Sequence, residues 1–337
     1  LGIDVILSNA FKGSEIQSVV IPEGVRWIIA SAFVECGKLE QVTLPSTLKA
    51  IGSSAFSNDS LLREINLPEG LASIGNSAFS DCSALESIEI PASVTTIAAG
   101  AFEGCDNLTA RVYPGSAALK YCQENGIAYV VVSPDFTVEN GVLTAYTGSD
   151  TNLVIPGDLG ITVIGSEAFK NAKIQSVVIP EGVTESGSSA FSQCQELTSV
   201  RFPSTLKKIG TAAFEGCNKI TSLDIPGSVT TIENHAFVSC TRLETLQLNE
   251  GLETIGSNAF SLCNALSDVR LPASLTTLGE FAFASGGIKS VTISGAKCAI
   301  SNNAFSDCSS LAEVTIFEGT TKIGDSAFSS CKNLTKV

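Results

Sequence analysis

Cysteine is the residue type in this chain with the most evident chemistry, because thiolates can form disulfides or bind zinc. The chain has eleven cysteines and no Cys-x-x-Cys pair, so zinc-finger spacing is absent. Nine of them recur at one position of a repeated pattern: Cys36, Cys82, Cys105, Cys194, Cys217, Cys240, Cys263, Cys308 and Cys331. Stacked repeats would bring such cysteines within about 5 Å, inside the Cα range of a disulfide, but equivalent side chains point the same way. We favour a ladder of free, buried thiols that act as small apolar groups, with a disulfide or a metal site as the alternatives.

Three cysteines have no cysteine neighbour in this ladder. The neighbours of Cys36 at the same position are Asp59 and Ser14. Cys122 and Cys298 lie outside the repeated position. We expect all three to be free.

The single histidine, His235, precedes the pair Ala236 and Phe237, at a position where several other units carry serine or asparagine. A Ser-His-Asp or Cys-His site needs a histidine that is oriented by an acid and faces a nucleophile. The sequence holds no such pattern, no glycine-rich phosphate loop and no EF-hand loop. We therefore expect an exposed histidine, and a protein that is not an enzyme and uses no metal and no cofactor.

The charge balance limits the partners. The net charge is −14, from 20 Lys and Arg against 34 Asp and Glu, so the chain is a poor match for nucleic acid and for anionic lipid surfaces.

No apolar run approaches the roughly 18 residues of a membrane helix, which predicts no membrane insertion in this chain.

A repeat organises the whole sequence. The dipeptide Ala-Phe recurs at intervals of 22 or 23 residues, with one gap of 67, and places phenylalanine at 11, 33, 56, 79, 102, 169, 191, 214, 237, 260, 283, 305 and 328. One full unit, residues 39–56, reads LxxVxLPxxLxxIGxxAF. Such a unit cannot bury its own apolar face, whereas stacked units share a continuous core.

The pattern within a unit predicts its local structure. The alternation in LxxVxL is typical of a short strand, which the following proline ends. Gly52 and its equivalents indicate a sharp turn or a close backbone approach. We predict an α/β repeat solenoid of 22–23-residue units with one parallel concave sheet and short strands and turns on the convex side.

The gap of 67 residues could hold two degenerate turns. Within it, residues 116–125 predict a short helix closed by Gly126, and residues 136–146 predict a hairpin around Asn140 and Gly141. We divide the chain into a first repeat array (1–113), an irregular connector (114–156) and a second repeat array (157–337). We favour one continuous solenoid over two separately capped arrays.

The outward positions of the strands form a mostly small, polar surface. Neighbouring turns of the second array place Arg201, Asp224, Gln247 and Arg270 at the central outward position. One interpretation is a solvated face with weak surface ion pairs. The other is an extended docking face for a protein, and these four are its candidate binding residues. The face lacks aromatic residues, which disfavours a glycan ligand.

Four aromatic residues are further candidates for partner binding. Trp27 and Phe281 occupy positions that other units fill with small or polar residues, so both should be exposed. Packing at the end of the chain is the alternative for Trp27. Tyr121 and Tyr146 lie in the connector, where covering irregular core is the alternative.

The unit resembles the BspA-like, or Treponema-type, leucine-rich repeat, whose pattern is close to LxxIxIPxxVxxIGxxAFxxC, and the resemblance covers nearly the whole chain. It implies a right-handed leucine-rich-repeat solenoid, without catalytic residues, in an exported or surface-attached protein of bacteria or certain protists. Some members act as adhesins towards host matrix proteins or other cells. This chain departs from the pattern at Ser186, which replaces a core isoleucine, and at Asn249, Ser294 and Phe317, which replace the proline.

Two functions fit these observations. The first is a non-catalytic adhesion module that binds an extracellular protein of a host matrix or another cell, and the second is a structural spacer that displays another domain. The resemblance implies a secreted or cell-surface protein. The sequence begins and ends within a unit, so we expect uncapped ends and end-to-end self-association, with any signal and anchor outside this fragment.

Overall fold

The computed structural model describes residues 2–294 and 297–337. The chain forms two compact units. The first contains Leu1–Ser133, Thr137–Asn140 and Asp158–Gly160, and the second contains Pro134–Phe136, Gly141–Gly157 and Ile161–Val337.

The first unit is a coil in which each repeat contributes two strands to two separate parallel ladders. The longer strands are Ser18–Val20, Gln41–Thr43, Glu64–Ile65, Ser87–Glu89, Thr109–Val112 and Ala128–Val131. The shorter strands are Val5–Ile6, Trp27–Ile28, Ala50–Ile51, Ser73–Ile74 and Thr96–Ile97. Pairing is in register, as in Val19 opposite Val42 and Ile28 opposite Ile51. Each unit of the sequence is therefore one turn of the coil, as the repeat predicts.

The α-helix Ala117–Asn125 lies in the first unit. Ser116 caps its start by accepting a hydrogen bond from the backbone N–H of Leu119, and Gly126 ends it with φ 67°. The predicted helix is thus confirmed. The strand Phe136–Glu139 contributes an antiparallel partner to Ala128–Val131, with Val131 opposite Val138.

The predicted hairpin residues form two strands, Phe136–Glu139 and Val142–Tyr146. Between them Asn140 has φ 50° and Gly141 has φ 79°. Positive φ at both central positions is the requirement of a type I′ turn, which explains the Asn-Gly pair.

The second unit repeats the two-strand turn. Its longer strands are Asn152–Val154, Ser176–Val178, Ser199–Arg201, Ser222–Ile225, Thr245–Leu248, Asp268–Leu271, Ser290–Ile293 and Glu313–Ile316. The shorter strands are Val163–Ile164, Glu185–Ser186, Lys208–Ile209, Thr231–Ile232, Thr254–Ile255, Thr277–Leu278, Ala299–Ile300 and Lys322–Ile323, and a 3-10 turn covers Gly157–Leu159. The longer strands pair in three successive groups, which begin at Asn152, Ser222 and Asp268. The parallel-strand repeat solenoid predicted from the sequence is confirmed, and the shorter strands add a second ladder to it.

A column of stacked phenylalanine rings fills the core of each unit. In the first unit the rings of Phe56 and Phe79 are 5.4 Å apart with planes 5° from parallel, and in the second unit Phe191 and Phe214 are 4.9 Å apart at 5°. These four side chains are fully buried. Burial of each ring contributes about 1.5–3 kcal/mol, so the Ala-Phe repeat supplies much of the stabilising energy.

The glycine that precedes Ala-Phe allows backbones of adjacent turns to touch. A Cβ atom on Gly75 would lie 2.6 Å from the carbonyl carbon of Gly52, and one on Gly210 would lie 2.4 Å from the carbonyl oxygen of Ser186. The predicted close backbone approach is therefore confirmed.

Two rows of left-handed residues flank the phenylalanine column, a feature that the sequence analysis did not identify. In every turn the residues two before and two after the repeat phenylalanine have positive φ, as at Ser31 and Glu35 around Phe33. Serine, asparagine, aspartate and glycine fill most of these positions. Asn and Gly tolerate this conformation best, whereas bulky side chains adopt it at a cost of about 1–2 kcal/mol.

Candidate interaction surface

Four of the candidate residues lie on the outer side of the longer strands of the second unit. Arg201, Asp224, Gln247 and Arg270 are all exposed, and each occupies the outward position of successive turns. Asp224 and Gln247 are direct partners in the parallel ladder between Ser222–Ile225 and Thr245–Leu248. The strands hold these side chains outward because the residues that flank them in the same strands, such as Leu223 and Ile225, are buried.

Asn249 connects two of these four residues. Its amide Nδ2 donates to Oδ1 of Asp224 and to the carbonyl of Ile225, both at 2.8 Å. Gln247 Nε2 donates to Oδ1 of Asn249 at 3.4 Å. Asn249 replaces the proline that usually ends the strand, so this departure from the repeat pattern orders the carboxylate of Asp224.

The two arginines of the row remain available to a partner. Within the part of the chain that the structure describes, neither Arg201 nor Arg270 lies within 4 Å of a carboxylate. Asp224 bonds to Asn249 rather than to Arg201. The row is thus a set of exposed donors and acceptors with two positive, one negative and one uncharged side chain, and its charged members do not pair with one another.

Two carboxylates that follow longer strands of the second unit act structurally. Glu181 Oε1 accepts a hydrogen bond from the backbone N–H of Ser204 at 3.0 Å, and Glu250 bonds in the same way to Ala273. These backbone hydrogen bonds are the main cause of a lowered pKa at both glutamates, and Arg201 and Arg270 add a smaller contribution. Both glutamates therefore stay ionised beside the row and tie successive turns together.

Trp27 and Phe281 are exposed, as predicted. Trp27 has 40% of its surface accessible and lies in the shorter ladder of the first unit, between Val5 and Ala50. Phe281 has 38% accessible in the second unit. It is one of the left-handed residues that lie two positions before a repeat phenylalanine, so it is not part of the outward row that contains Arg201.

The two connector tyrosines differ from each other. Tyr121 is only 8% accessible and packs edge-on against Phe102, with ring centroids 6.1 Å apart. Its ring covers the end of the phenylalanine column, so Tyr121 is a core residue and its assignment to a binding surface is corrected. Tyr146 is half-buried between Phe136 and Phe169, and its hydroxyl accepts the backbone N–H of Asp150 at 2.9 Å. Tyr146 continues the column from Phe169 to Phe136 and presents only part of its ring.

All eleven cysteines are free, and all except Cys331 are buried. Each of the nine cysteines at the repeated position donates its S–H to the carbonyl of the phenylalanine one turn earlier, as Cys82 does to Phe56 at 3.1 Å. We predicted buried small groups, and the structure adds a repeated hydrogen bond. His235 is exposed, as expected, with φ 60°.

This combination of turn, phenylalanine column and cysteine ladder has a counterpart among known sequences. A sequence model of the BspA type leucine rich repeat region matches residues 4–124, 162–284 and 231–337, in six copies. The chain belongs to the BspA-type leucine-rich-repeat family. The BspA-type match leaves out residues 125–161, which contain the hairpin residues and the 3-10 turn.

The chain is also similar to solved leucine-rich-repeat proteins. One from Bacteroides ovatus is 24% identical, with 99% of this chain and 82% of that chain covered and a TM-score of 0.41. One from Eubacterium ventriosum is 26% identical, with 81% of this chain and 83% of that chain covered and a TM-score of 0.40. A leucine rich cell surface protein from Faecalibacterium prausnitzii is 24% identical, with 93% of this chain and 83% of that chain covered and a TM-score of 0.37. A search of curated proteins found no match.

One BspA-type unit replaces the cysteine with Asp59, which is fully buried. Its Oδ1 accepts the backbone N–H of Cys36 at 2.8 Å, and its Oδ2 has no hydrogen-bond partner among the described residues. Burial raises the pKa of Asp59 to about 8. From the sequence Asp59 was identifiable only as a neighbour of Cys36, whose Sγ lies 3.4 Å from Oγ of Ser14 as well.

Over residues 2–294 and 297–337, no three His, Cys, Asp or Glu side chains are grouped as metal ligands would be. In the same residues there is no helix with the length and hydropathy of a membrane span.

Proposed function

We propose that this chain is a non-catalytic protein-binding module displayed outside the cell, and that its partner is an extracellular protein of a host matrix or of another cell. The observation that carries the proposal is the row of Arg201, Asp224, Gln247 and Arg270, exposed on successive turns of the second unit. Only Asp224 and Gln247 are direct partners in one ladder, and Arg201 and Arg270 lie on strands of the neighbouring groups. The row therefore presents a positive, a negative, an uncharged polar and a positive side chain on four successive turns. An extended protein segment can match such a row with its own charged and amide side chains.

Membership in the BspA-type family supports the extracellular location, because the resemblance implies exported or surface-attached proteins. The small polar residues beside the row support a protein over a glycan, since a glycan site would need aromatic rings for stacking. A spacer that only displays another domain is the opposing function, and it requires no specific ligand on this face.

The experiment is a binding panel read by biolayer interferometry. Wild type is tested against purified matrix proteins and mucins beside the variant R201E/D224R/R270E. We expect saturable binding to at least one protein and a loss of at least about tenfold in the variant, because charge reversal places like charges opposite each other across the interface.

A matched control keeps the net charge change the same. The triple variant changes the net charge by −2, since two Arg→Glu changes give −4 and Asp→Arg gives +2. Lys332→Glu also gives −2 at an exposed position of the second unit. Binding that K332E retains and the triple variant loses would support the row as the site. Absence of binding across the panel, or equal binding by the triple variant, would favour the spacer.

A further inference from the structure

Two large apolar residues of the second unit occupy positions at which the fold disfavours them. Phe281 and Leu262 have φ 55° and φ 63°, and their side chains are 38% and 43% accessible. Each is thus held in the left-handed region and is exposed to water at the same time. A bulky residue in this conformation is an outlier that invites a functional explanation.

The other turns show what these positions normally contain. The row two before the repeat phenylalanine holds small, polar or charged residues in every other turn, such as Asn258 and Asn303 beside Phe281. The row two after it contains Leu262 as its one large apolar residue, between Ser239 and Ser285. The backbone conformation at these positions therefore does not require an apolar side chain, since polar residues adopt the same positive φ in other turns.

The two residues lie on adjacent turns. The backbone N–H of Leu262 donates to the carbonyl of Ala284 at 3.0 Å, and the N–H of Ala284 donates to the carbonyl of Phe281 at 3.1 Å. A chain of two hydrogen bonds thus connects adjacent turns at this point. We define the patch as Leu262 and Phe281.

The surroundings of the patch are acidic. The turn segments 210–217, 233–240, 256–263, 279–286, 301–308 and 324–331 contain no lysine or arginine, and their acidic residues are Glu215, Glu233, Glu280, Asp307 and Asp325. Glu233 pairs with Lys208 at 2.9 Å. The other four carboxylates form no ion pair with another part of the described chain. Unpaired negative charge around an exposed apolar anchor matches a partner that combines basic and apolar side chains.

We propose that the Leu262–Phe281 patch is a second docking site, and that its occupant is a basic segment of a partner protein that inserts apolar side chains between lysines or arginines. The aromatic ring and the leucine are the anchor, as buried aromatic residues are in protein interfaces. The acidic residues of the neighbouring turns attract and orient the segment. The site is distinct from the row of Arg201, and it does not depend on the function proposed for that row.

The test uses a labelled twelve-residue peptide of alternating leucine and lysine, with binding followed by fluorescence anisotropy. F281N/L262S removes the anchor without a change in charge and introduces residue types that occupy these rows elsewhere. We expect saturable binding to wild type and a loss of at least about tenfold in the variant. E280Q/D307N should weaken binding and flatten its dependence on salt.

Controls separate the site from general attraction. S189N/Q193S changes the same two rows, four turns from Phe281 and three turns from Leu262, and should bind as wild type does. R201E/D224R/R270E should also bind within about twofold of wild type, so failure of this proposal is distinguishable from failure of the first. A leucine–glutamate peptide should not bind, and a serine–lysine peptide should bind at least about tenfold more weakly.

The outcome is decided by the anchor variant. Equal affinity in F281N/L262S and wild type would overturn the proposal, and so would the absence of saturable binding to wild type. If F281N/L262S does not fold, F281H/L262Q replaces it, because His235 and Gln193 occupy the same rows in other turns with positive φ.

Discussion

The backbone N–H of Cys36 donates a hydrogen bond to Oδ1 of Asp59 at 2.8 Å across two successive turns of the first unit. In other turns the cysteine that occupies the position of Asp59 donates a hydrogen bond from its S–H to a phenylalanine carbonyl, as Cys105 does to Phe79 at 3.1 Å. Only a protonated Asp59 can act as a donor in the same way. This one position therefore makes an otherwise uncharged ladder sensitive to pH.

Replacement of Asp59 by cysteine should stabilise the protein, and the gain should depend on pH. Burial raises the pKa of Asp59 from 3.8 to about 8, so the folded state favours the neutral form. The unfolded chain loses this proton first, and the stability of wild type falls as the pH rises from about 4 to about 8. We expect D59C to be more stable by about 2–4 kcal/mol at pH 7 and to differ much less at pH 4, by urea denaturation.

An exposed carboxylate provides the control for this measurement. D106N should leave the pH dependence of unfolding as it is in wild type, since Asp106 is exposed. A D59C gain of the same size at pH 4 and pH 8 would show that Asp59 does not titrate between them.

Gly75→Ala should destabilise the first unit by about 3 kcal/mol, because the new Cβ would lie 2.6 Å from backbone atoms that cannot move aside. Gly37→Ala is the matched change, with nothing within 4 Å of its Cβ. The midpoint of thermal unfolding measures both. Similar midpoints for G75A and G37A would contradict the close approach between adjacent turns.

Most thiols should be unreactive in the native protein. Ten of the eleven cysteines are buried, and burial raises the pKa of Cys105, Cys122 and Cys298 to about 11, which suppresses the reactive thiolate. At pH 7.5 we expect 4,4′-dithiodipyridine to modify about one thiol rapidly, Cys331, and all eleven in guanidinium. C331A should lack the fast phase, and rapid modification of several thiols in C331A would contradict the buried ladder.

The sequence predicted the features that depend on the period and on strong local signals. The Ala-Phe spacing predicted one coil turn for each unit, and Ser116 with Gly126 predicted the bounds of the helix. Small or polar residues at the positions of Trp27 and Phe281 in other turns predicted the exposure of both. These features could be identified because one residue type or one spacing determines each of them.

Other features depend on contacts between turns, and these contacts cannot be predicted from the spacing of residues in the sequence. The S–H hydrogen bonds of the cysteines and the state of Asp59 follow from atomic distances to the preceding turn. The left-handed rows had a signal, since Ser, Asn, Asp and Gly recur two residues before and after the repeat phenylalanine, and that signal was missed. Tyr121 could be read either as a core or as a surface residue until its packing against Phe102 was seen.

The account rests on the row of Arg201, Asp224, Gln247 and Arg270 as a protein-binding surface. Its most direct test is the dissociation constant of wild type, R201E/D224R/R270E and K332E for the extracellular protein that wild type binds best in the panel. The account predicts an increase of at least about tenfold for the triple variant and a change within about twofold for K332E. Equal dissociation constants for wild type and the triple variant, or no saturable binding by wild type, would contradict it.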